Sequence, residues 1–196
     1  MTKFQQSLST FQRGDFLFLS RKIILNEEIQ DKDFSEFYLK NVKFYNCNLE
    51  TVSFTGSESY RLIFCNCKFN NVSFRKASLS NVNFQNCQLL NCLFRSSDSY
   101  MVSYKNCQLN NVDFIATDLM NFKFEKSELD NVYFNASEVE NLTIKDSILK
   151  NITFHRMKVC KTLSKNDILT TEKILIQDYG SFLTEFVKNE THSEPL

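Results

Sequence analysis

Apolar residues recur at every fifth position of this chain from Phe34 to Val159, with no insertion or deletion. The run opens Phe34, Leu39, Phe44, Leu49, Phe54 and closes Leu149, Phe154, Val159; of its 26 positions 24 are apolar, the exceptions being Ser59 and Ser99. On an α-helix a step of five residues advances ~140°, which would wind the apolar set round every side. On a flat strand an odd step sends successive apolar residues to opposite faces. The pattern suits a chain that turns a corner after every five residues and always points the same residue inward. A second inward position lies two residues before each centre: Val42, Cys47, Val52, Ser57, Leu62, Cys67, Val72, Ala77. Spacing two on a strand shares a face, so these small or β-branched residues line the core beside the centres. The other three positions of each unit are rich in Asn, Ser, Lys, Glu, Asp and Gln and are expected to face water.

A longer rhythm overlies the five. Centres ending in 4 are Phe in 11 of 13 cases and those ending in 9 are Leu in 8 of 13. Cys47, Cys67, Cys87 and Cys107 stand 20 residues apart, as do Asn46, Asn66, Asn86 and Asn106, and the series Asn71, Asn91, Asn111, Asn131, Asn151. Four sides of five residues therefore make one coil, and stacked units of fixed period are the mark of solenoid folds. The units Val42-Lys43-Phe44-Tyr45-Asn46 and Cys47-Asn48-Leu49-Glu50-Thr51 closely resemble those of the pentapeptide repeat family. That resemblance implies an all-β fold, a right-handed quadrilateral parallel β-solenoid. The 130 residues in register (26 units of five) correspond to about 6.5 coils, a rod roughly 31 Å long at the ~4.8 Å strand spacing.

The flanks depart from this register. Residues 1–31 are read as an N-terminal cap: Phe4, Leu8 and Phe11 have helical spacing, and Phe16–Leu19 and Lys22–Ile29 read as strands. A solenoid end exposes unpaired backbone and an apolar cross-section, so it needs covering. The solenoid is assigned to 32–161. Residues 162–188 form a C-terminal cap or dimerisation segment, with a strand over Lys173–Gln177 and a short helix after Ser181 carrying Phe182 and Phe186. In some relatives of the resembled family a C-terminal segment dimerises, so Phe182 and Phe186 are candidate dimer residues and the chain is a monomer or a homodimer. Residues 189–196 are expected to be a disordered tail.

Composition narrows the function. Lys and Arg total 23 and Asp and Glu total 23, giving no net charge, which argues against direct nucleic-acid binding. No apolar run reaches the length of a membrane span. Phe16–Leu25 is interrupted by Arg21 and Lys22 and does not read as a secretory signal, so a reduced, cytoplasmic chain is expected. Five of the seven cysteines occupy the small inward position, where Ser127, Ser137 and Ser147 also stand, so they are read as small buried groups and not as metal ligands or disulfides. His155 and His192 lack nucleophile or metal-ligand neighbours, and no Gly-rich phosphate loop occurs. No catalytic residue, metal or cofactor is therefore assigned, and no enzyme activity is expected.

What remains is a patterned surface. The face centred on Leu39, Ser59, Leu79, Ser99, Leu119 and Val139 displays Glu58, Asp98, Asp118, Glu138 and Glu140, with Tyr60 and Tyr100 following the two serine centres. The neighbouring face through Phe44 carries Lys43, Lys105, Lys123 and Lys145. At Ser59 and Ser99 either a tyrosine tilts to cover a shallow spot or the coil bulges. The expected function is a non-enzymatic interaction scaffold that binds a protein partner through a rigid face, with Glu58, Tyr60, Asp98, Tyr100, Asp118, Glu138 and Glu140 as candidate contacts. The alternative comes from the family resemblance: some members imitate the shape and charge of B-form DNA and bind bacterial type II topoisomerases, gyrase or topoisomerase IV, protecting them from quinolones or toxins.

Overall fold

The computed structural model describes residues 18–156, 158–161, 164–171 and 174–177. Within them the chain is all β: a parallel solenoid of about seven turns, with no helix. The corners explain the five-residue period. Every fifth residue from Arg21 to Arg156 has φ between +49° and +68°, comprising 27 non-glycine residues and Gly56. Each lies two residues after a centre and reverses the strand into the next side. Among L-residues Asn enters this left-handed region at least cost, because its short amide bonds locally, and 14 of the 27 are Asn. The asparagines also bond along the rod. Asn46, Asn66, Asn86 and Asn106 each donate Nδ2 to Oδ1 of the Asn one coil earlier, at 3.0–3.1 Å.

In most of the described coils three sides are three-residue strands. On the Leu39 side an eight-stranded parallel sheet runs from Phe18–Ser20 to Lys158–Lys161. The Phe44 and Leu49 sides belong to one larger sheet, joined where Thr143–Lys150 spans both. On the Phe34 side the ladder thins to single bridges, Asp33↔Ser53↔Ser73↔Leu93↔Asp113. There the corner is a β-turn, with Ser57 N–H donating to the Phe54 carbonyl (3.1 Å) and φ of +68° at its third residue, Gly56, as a type II turn requires.

Two aromatic columns fill the core from opposite sides. Phe34, Phe54, Phe74, Phe94, Phe114 and Phe134 stack with centroids 4.8–5.2 Å apart. Phe44, Phe64, Phe84, Tyr104 and Phe124 do the same at 4.6–5.2 Å. The columns meet edge to face, as in Phe54–Phe64 (6.5 Å, 72°) and Phe74–Phe84 (6.2 Å, 89°). Such pairs add to the ~1.5–3 kcal/mol that each buried side chain contributes. Leu39, Leu49, Leu79 and Leu89 fill the remaining sides and are buried.

The ends differ from expectation. Leu19, Ile24 and Ile29 pair in register with Leu39, Phe44 and Leu49. The described part of the expected cap, residues 18–31, is thus solenoid already, and the expected strand over Lys22–Ile29 is two strands broken at Asn26 (φ +56°). Lys22 and Glu27 stand at the small inward position, which is why the register is hard to see there; Lys22 turns outward and Glu27 is buried. At the other end the coil lengthens. The pairing offset rises from 20 residues at Val139↔Val159 to 21 at Glu140↔Lys161 and 22 at Ile152↔Ile174. The expected strand near 173–177 is Ile174–Gln177, paired with Ile152–His155. The expected helices around Phe4–Phe11 and after Ser181, the tail, and the candidate dimer residues Phe182 and Phe186 lie outside the described residues.

Candidate interaction face

The alternation of the strand puts the residues flanking each centre on the outer surface. On the Leu39 side this produces two columns. One reads Tyr38, Glu58, Ser78, Asp98, Asp118, Glu138 and the other Lys40, Tyr60, Ser80, Tyr100, Met120, Glu140. All seven candidate contact residues therefore share one sheet. Asp98, Asp118 and Glu138 are direct neighbours in register, Glu140 lies beside them, and Glu58 is separated from Asp98 by Ser78. Like charges directly opposite one another repel across a sheet, and here three acids stand in one register column.

Tyr60 and Tyr100 point outward, two coils apart, and neither tilts into the core. Arg61 lies over the Tyr60 ring at 4.9 Å, a cation–π contact. Tyr100 is 45% exposed, and beside it are Met120 (42%) and Met101 (49%), which the sequence reading did not single out. The signal was present: Met101 stands at a corner position that Asn usually fills, and Met120 at an outward one. Between the coils of Asp118-Leu119-Met120 and Glu138-Val139-Glu140 lies a shallow groove of about 130 Å³. Tyr, Met and a charged rim are the composition of protein-binding surfaces. Ser59 and Ser99 remain inward, 4% and 3% exposed, and both pair with Leu79 without a register shift, so the coil does not bulge.

The Phe44 side is basic, and two of its lysines share one carboxylate. Glu125 holds both Lys123 (2.7 Å) and Lys105 (3.1 Å). These two cations, Lys123 more than Lys105, bring its carboxyl down to about 2. A second groove, about 420 Å³, follows the thinned Phe34 side between Asn71, Asn91, Asn111 and Leu93, Asp113, Ile115, Tyr133; Asp113 is held there by Arg95 at 3.1 Å.

The cysteines serve the core. Cys47, Cys67, Cys87, Cys92 and Cys107 are buried, and all of them and Cys65 are free thiols. Cys87 Sγ donates to the Gln85 and Phe64 carbonyls (3.3 and 3.4 Å). Ser127 makes the equivalent bonds to Glu125 and Tyr104 (3.0 and 3.3 Å), which is why Ser and Cys interchange in this column. Burial pushes the Cys92 thiol up to about 12, the opposite of what a reactive or metal-binding thiolate needs. Among the described residues no group of three His, Cys, Asp or Glu side chains could hold a metal ion.

Comparison with known proteins adds limited information. The family model of the SV2A/B/C luminal domain matches residues 63–134, within the solenoid. No curated protein is similar in sequence. Among solved structures, a trypsin-treated variant of QnrB1, a plasmid-mediated fluoroquinolone resistance protein, is 16% identical, with 76% of this chain and 88% of that one covered and a TM-score of 0.47. HetL, a pentapeptide repeat protein involved in heterocyst differentiation regulation in the cyanobacterium Nostoc sp. strain PCC 7120, is 8% identical over 79% and 90% of the two chains, with a TM-score of 0.25. The pentapeptide repeat protein Rfr23 of the cyanobacterium Cyanothece 51142 is 13% identical over 74% and 89%, with a TM-score of 0.20. The assignment of the fold rests on the molecule's own corners and register.

Proposed function

We propose that this chain, a pentapeptide-repeat β-solenoid, is a non-enzymatic scaffold that binds a protein partner through the outer surface of its Leu39 side. The observation that carries this reading is the grouping of exposed Tyr100, Met101 and Met120 with Asp98, Asp118, Glu138 and Glu140 on one rigid parallel sheet. A backbone already fixed in a sheet needs no ordering on binding, so association pays only for ordering the side chains. The interior is packed with aromatic rings and supplies no chemistry. The test is affinity capture with three baits: the wild type, a Tyr100→Ala/Met101→Ala/Met120→Ala variant, and a Gln88→Ala/Gln108→Ala control on the Leu49 side. A partner retained by wild type and control and lost from the triple variant supports the reading. Equal retention by all three sinks it.

A second reading, imitation of DNA toward a bacterial type II topoisomerase, is favoured by one feature, the in-register acids Asp98, Asp118 and Glu138. At the ~4.8 Å spacing of adjacent strands each of these charges lies within one Debye length, ~8 Å at physiological salt, of its neighbour in the column, so neighbouring potentials add. Purified gyrase discriminates. Salt-sensitive binding, with supercoiling restored in the presence of a fluoroquinolone and lost on charge reversal at Asp98, Asp118 and Glu138, supports it. No effect at micromolar protein removes it and leaves the scaffold reading standing.

A further inference from the structure

Among the described residues, six hydroxyl side chains occupy the small inward position: Ser57, Ser97, Thr117, Ser127, Ser137 and Ser147. Four of them donate to main-chain carbonyls. Thr117 bonds Phe94 O (3.0 Å), Ser127 bonds Glu125 O (3.0 Å), Ser137 bonds Phe114 O (2.6 Å) and Ser147 bonds Lys145 O (2.8 Å). The other two, Ser57 and Ser97, have no partner within the protein, although both are buried. Ser97 lies in the same column as Thr117 and Ser137, one coil from Thr117, and by that geometry the Phe74 and Arg95 carbonyls are its natural acceptors.

The centre two residues later separates the two groups. It is Leu119, Leu129, Val139 or Leu149 where the hydroxyl is bonded, and Ser59 or Ser99 where it is not. Ser59 and Ser99 are likewise buried and unpartnered. A leucine carries two more heavy atoms than a serine. The backbone does not close over the difference, since Ser59 pairs in unshifted register with Leu39 and Leu79, and Ser99 with Leu79 and Leu119. Each Ser-x-Ser unit thus combines two buried hydroxyls with a centre two heavy atoms smaller than the leucine usual on this side. In the coil between them the same two positions are Ala77 and Leu79, and neither end of the space is charged.

We infer that each pair holds one buried water molecule, bridging Ser57 Oγ to Ser59 Oγ and Ser97 Oγ to Ser99 Oγ. A buried water is retained where a site offers room for one probe-sized group and two to four polar partners. The two hydroxyls are the first partners, and the Phe34 and Phe74 carbonyls, each already accepting one main-chain N–H at 3.2 Å, offer a second lone pair as another. A neutral guest is required because no charged side chain faces the space; a cation there would remain uncompensated.

Oxygen-17 relaxation dispersion of water, measured on the full chain, counts long-lived internal waters. The Ser59→Leu/Ser99→Leu double variant is expected to lose the amplitude of two waters and to melt several degrees higher, since leucine is the usual centre on this side. The Ser57→Ala/Ser97→Ala variant, which leaves the space but removes one partner from each, is expected to shorten the residence times and to melt lower than wild type. A crystal structure that places the Ser57 and Ser97 hydroxyls on the Phe34 and Phe74 carbonyls, with no solvent between the serines, overturns the inference. So does an unchanged dispersion amplitude in the leucine variant. A lower melting point of that variant means the core has closed around serine, and overturns it equally.

Discussion

The corner residues allow a test with two signs at one backbone geometry. Thr51 and Asn66 have φ of +53° and +55°, and both are exposed. A left-handed conformation costs an L-residue roughly 1–2 kcal/mol and is worst for β-branched side chains. Thr51→Asn therefore relieves strain and is expected to stabilise the fold by about 1 kcal/mol. Asn66 has a favourable side chain to lose. Its Nδ2 donates to Asn46 Oδ1 and its Oδ1 accepts from Asn86 Nδ2, each at 3.1 Å. These bonds are exposed, so each counts at the low end of the range, about 0.5 kcal/mol, and the abandoned amides return to water without penalty. Asn66→Ala is expected to cost about 2 kcal/mol, half from the backbone and half from the ladder. Asn66→Gly keeps the backbone preference and forfeits only the ladder, about 1 kcal/mol. Urea unfolding followed by circular dichroism measures all three, provided the slopes agree, because repeat arrays can unfold in parts. If Thr51→Asn destabilises, or if Asn66→Ala and Asn66→Gly are both silent, the corners do not set the period by conformational preference and the explanation of the asparagines is wrong.

Phe84 is fully buried between Phe64 and Tyr104, so Phe84→Ala is expected to cost ~3–5 kcal/mol in the same assay. Ser127→Ala removes an acceptor from Cys107 N–H (3.1 Å) and a donor to two carbonyls; it is expected to cost ~1–3 kcal/mol, and Ser127→Cys to recover part of that, which melting of the pair checks. Native protein treated with a thiol reagent at pH 8 is expected to label the half-exposed Cys65 well before Cys47, Cys67, Cys87, Cys92 and Cys107, as mass spectrometry of the digested protein can show. Because the Glu125 carboxyl sits near 2 in the fold, its pairs with Lys123 and Lys105 contribute fully above the ordinary carboxylate value of 4.5. That contribution fades as pH falls from 4.5 toward 2. The stability difference between wild type and Glu125→Gln is therefore expected to vanish in strong acid and to shrink in high salt.

The solenoid was legible because its core repeats without interruption. A period of five, two inward positions per unit and a coil of 20 residues are all stated by Phe, Leu, Val and Cys. The reason for the period was less visible. Asn46, Asn66 and Asn86 look like surface polarity in a sequence, and only their φ values reveal them as the corners themselves. The ends were misjudged for a related reason. Lys22 and Glu27 occupy positions that small residues hold elsewhere, so the repeat is plain only from residue 32 while strand pairing already includes Phe18, the first described residue. A solenoid is held by its centres and its ladders. It tolerates a charged residue at a small inward position when the next centre, Ile24 or Ile29, is still apolar. The loss of period after Lys161 has the opposite cause: two extra residues enter the coil, and pairing persists through bulges that no sequence repeat can register.

The candidate face was legible in part, and the missing part bears on function. Acids at Asp98, Asp118 and Glu138 can be read from one column and Lys105 and Lys123 from the neighbouring face, in a chain of zero net charge. In the fold the lysines stand on the adjacent side, where Lys105 and Lys123 share the one carboxylate of Glu125, so acids and bases are concentrated on different sides. Neutrality of the whole chain therefore does not entail neutrality of each face. Where the acids stand, the exposed groups between them are Tyr100, Met101 and Met120, and this distinguishes the two readings of function. A surface that only imitates phosphates has no use for methionine. Long-range attraction from acids mainly speeds encounter, whereas large apolar groups at the centre of a patch set how long a complex lasts. Charge reversal at Asp98 and Asp118 is therefore expected to slow association and to steepen with falling salt, while Met120→Ala and Tyr100→Ala are expected to hasten dissociation. Surface plasmon resonance on whatever partner is captured separates the two. If the acids alone govern both rates and the apolar residues govern neither, the face acts by charge, and the topoisomerase reading gains over the scaffold.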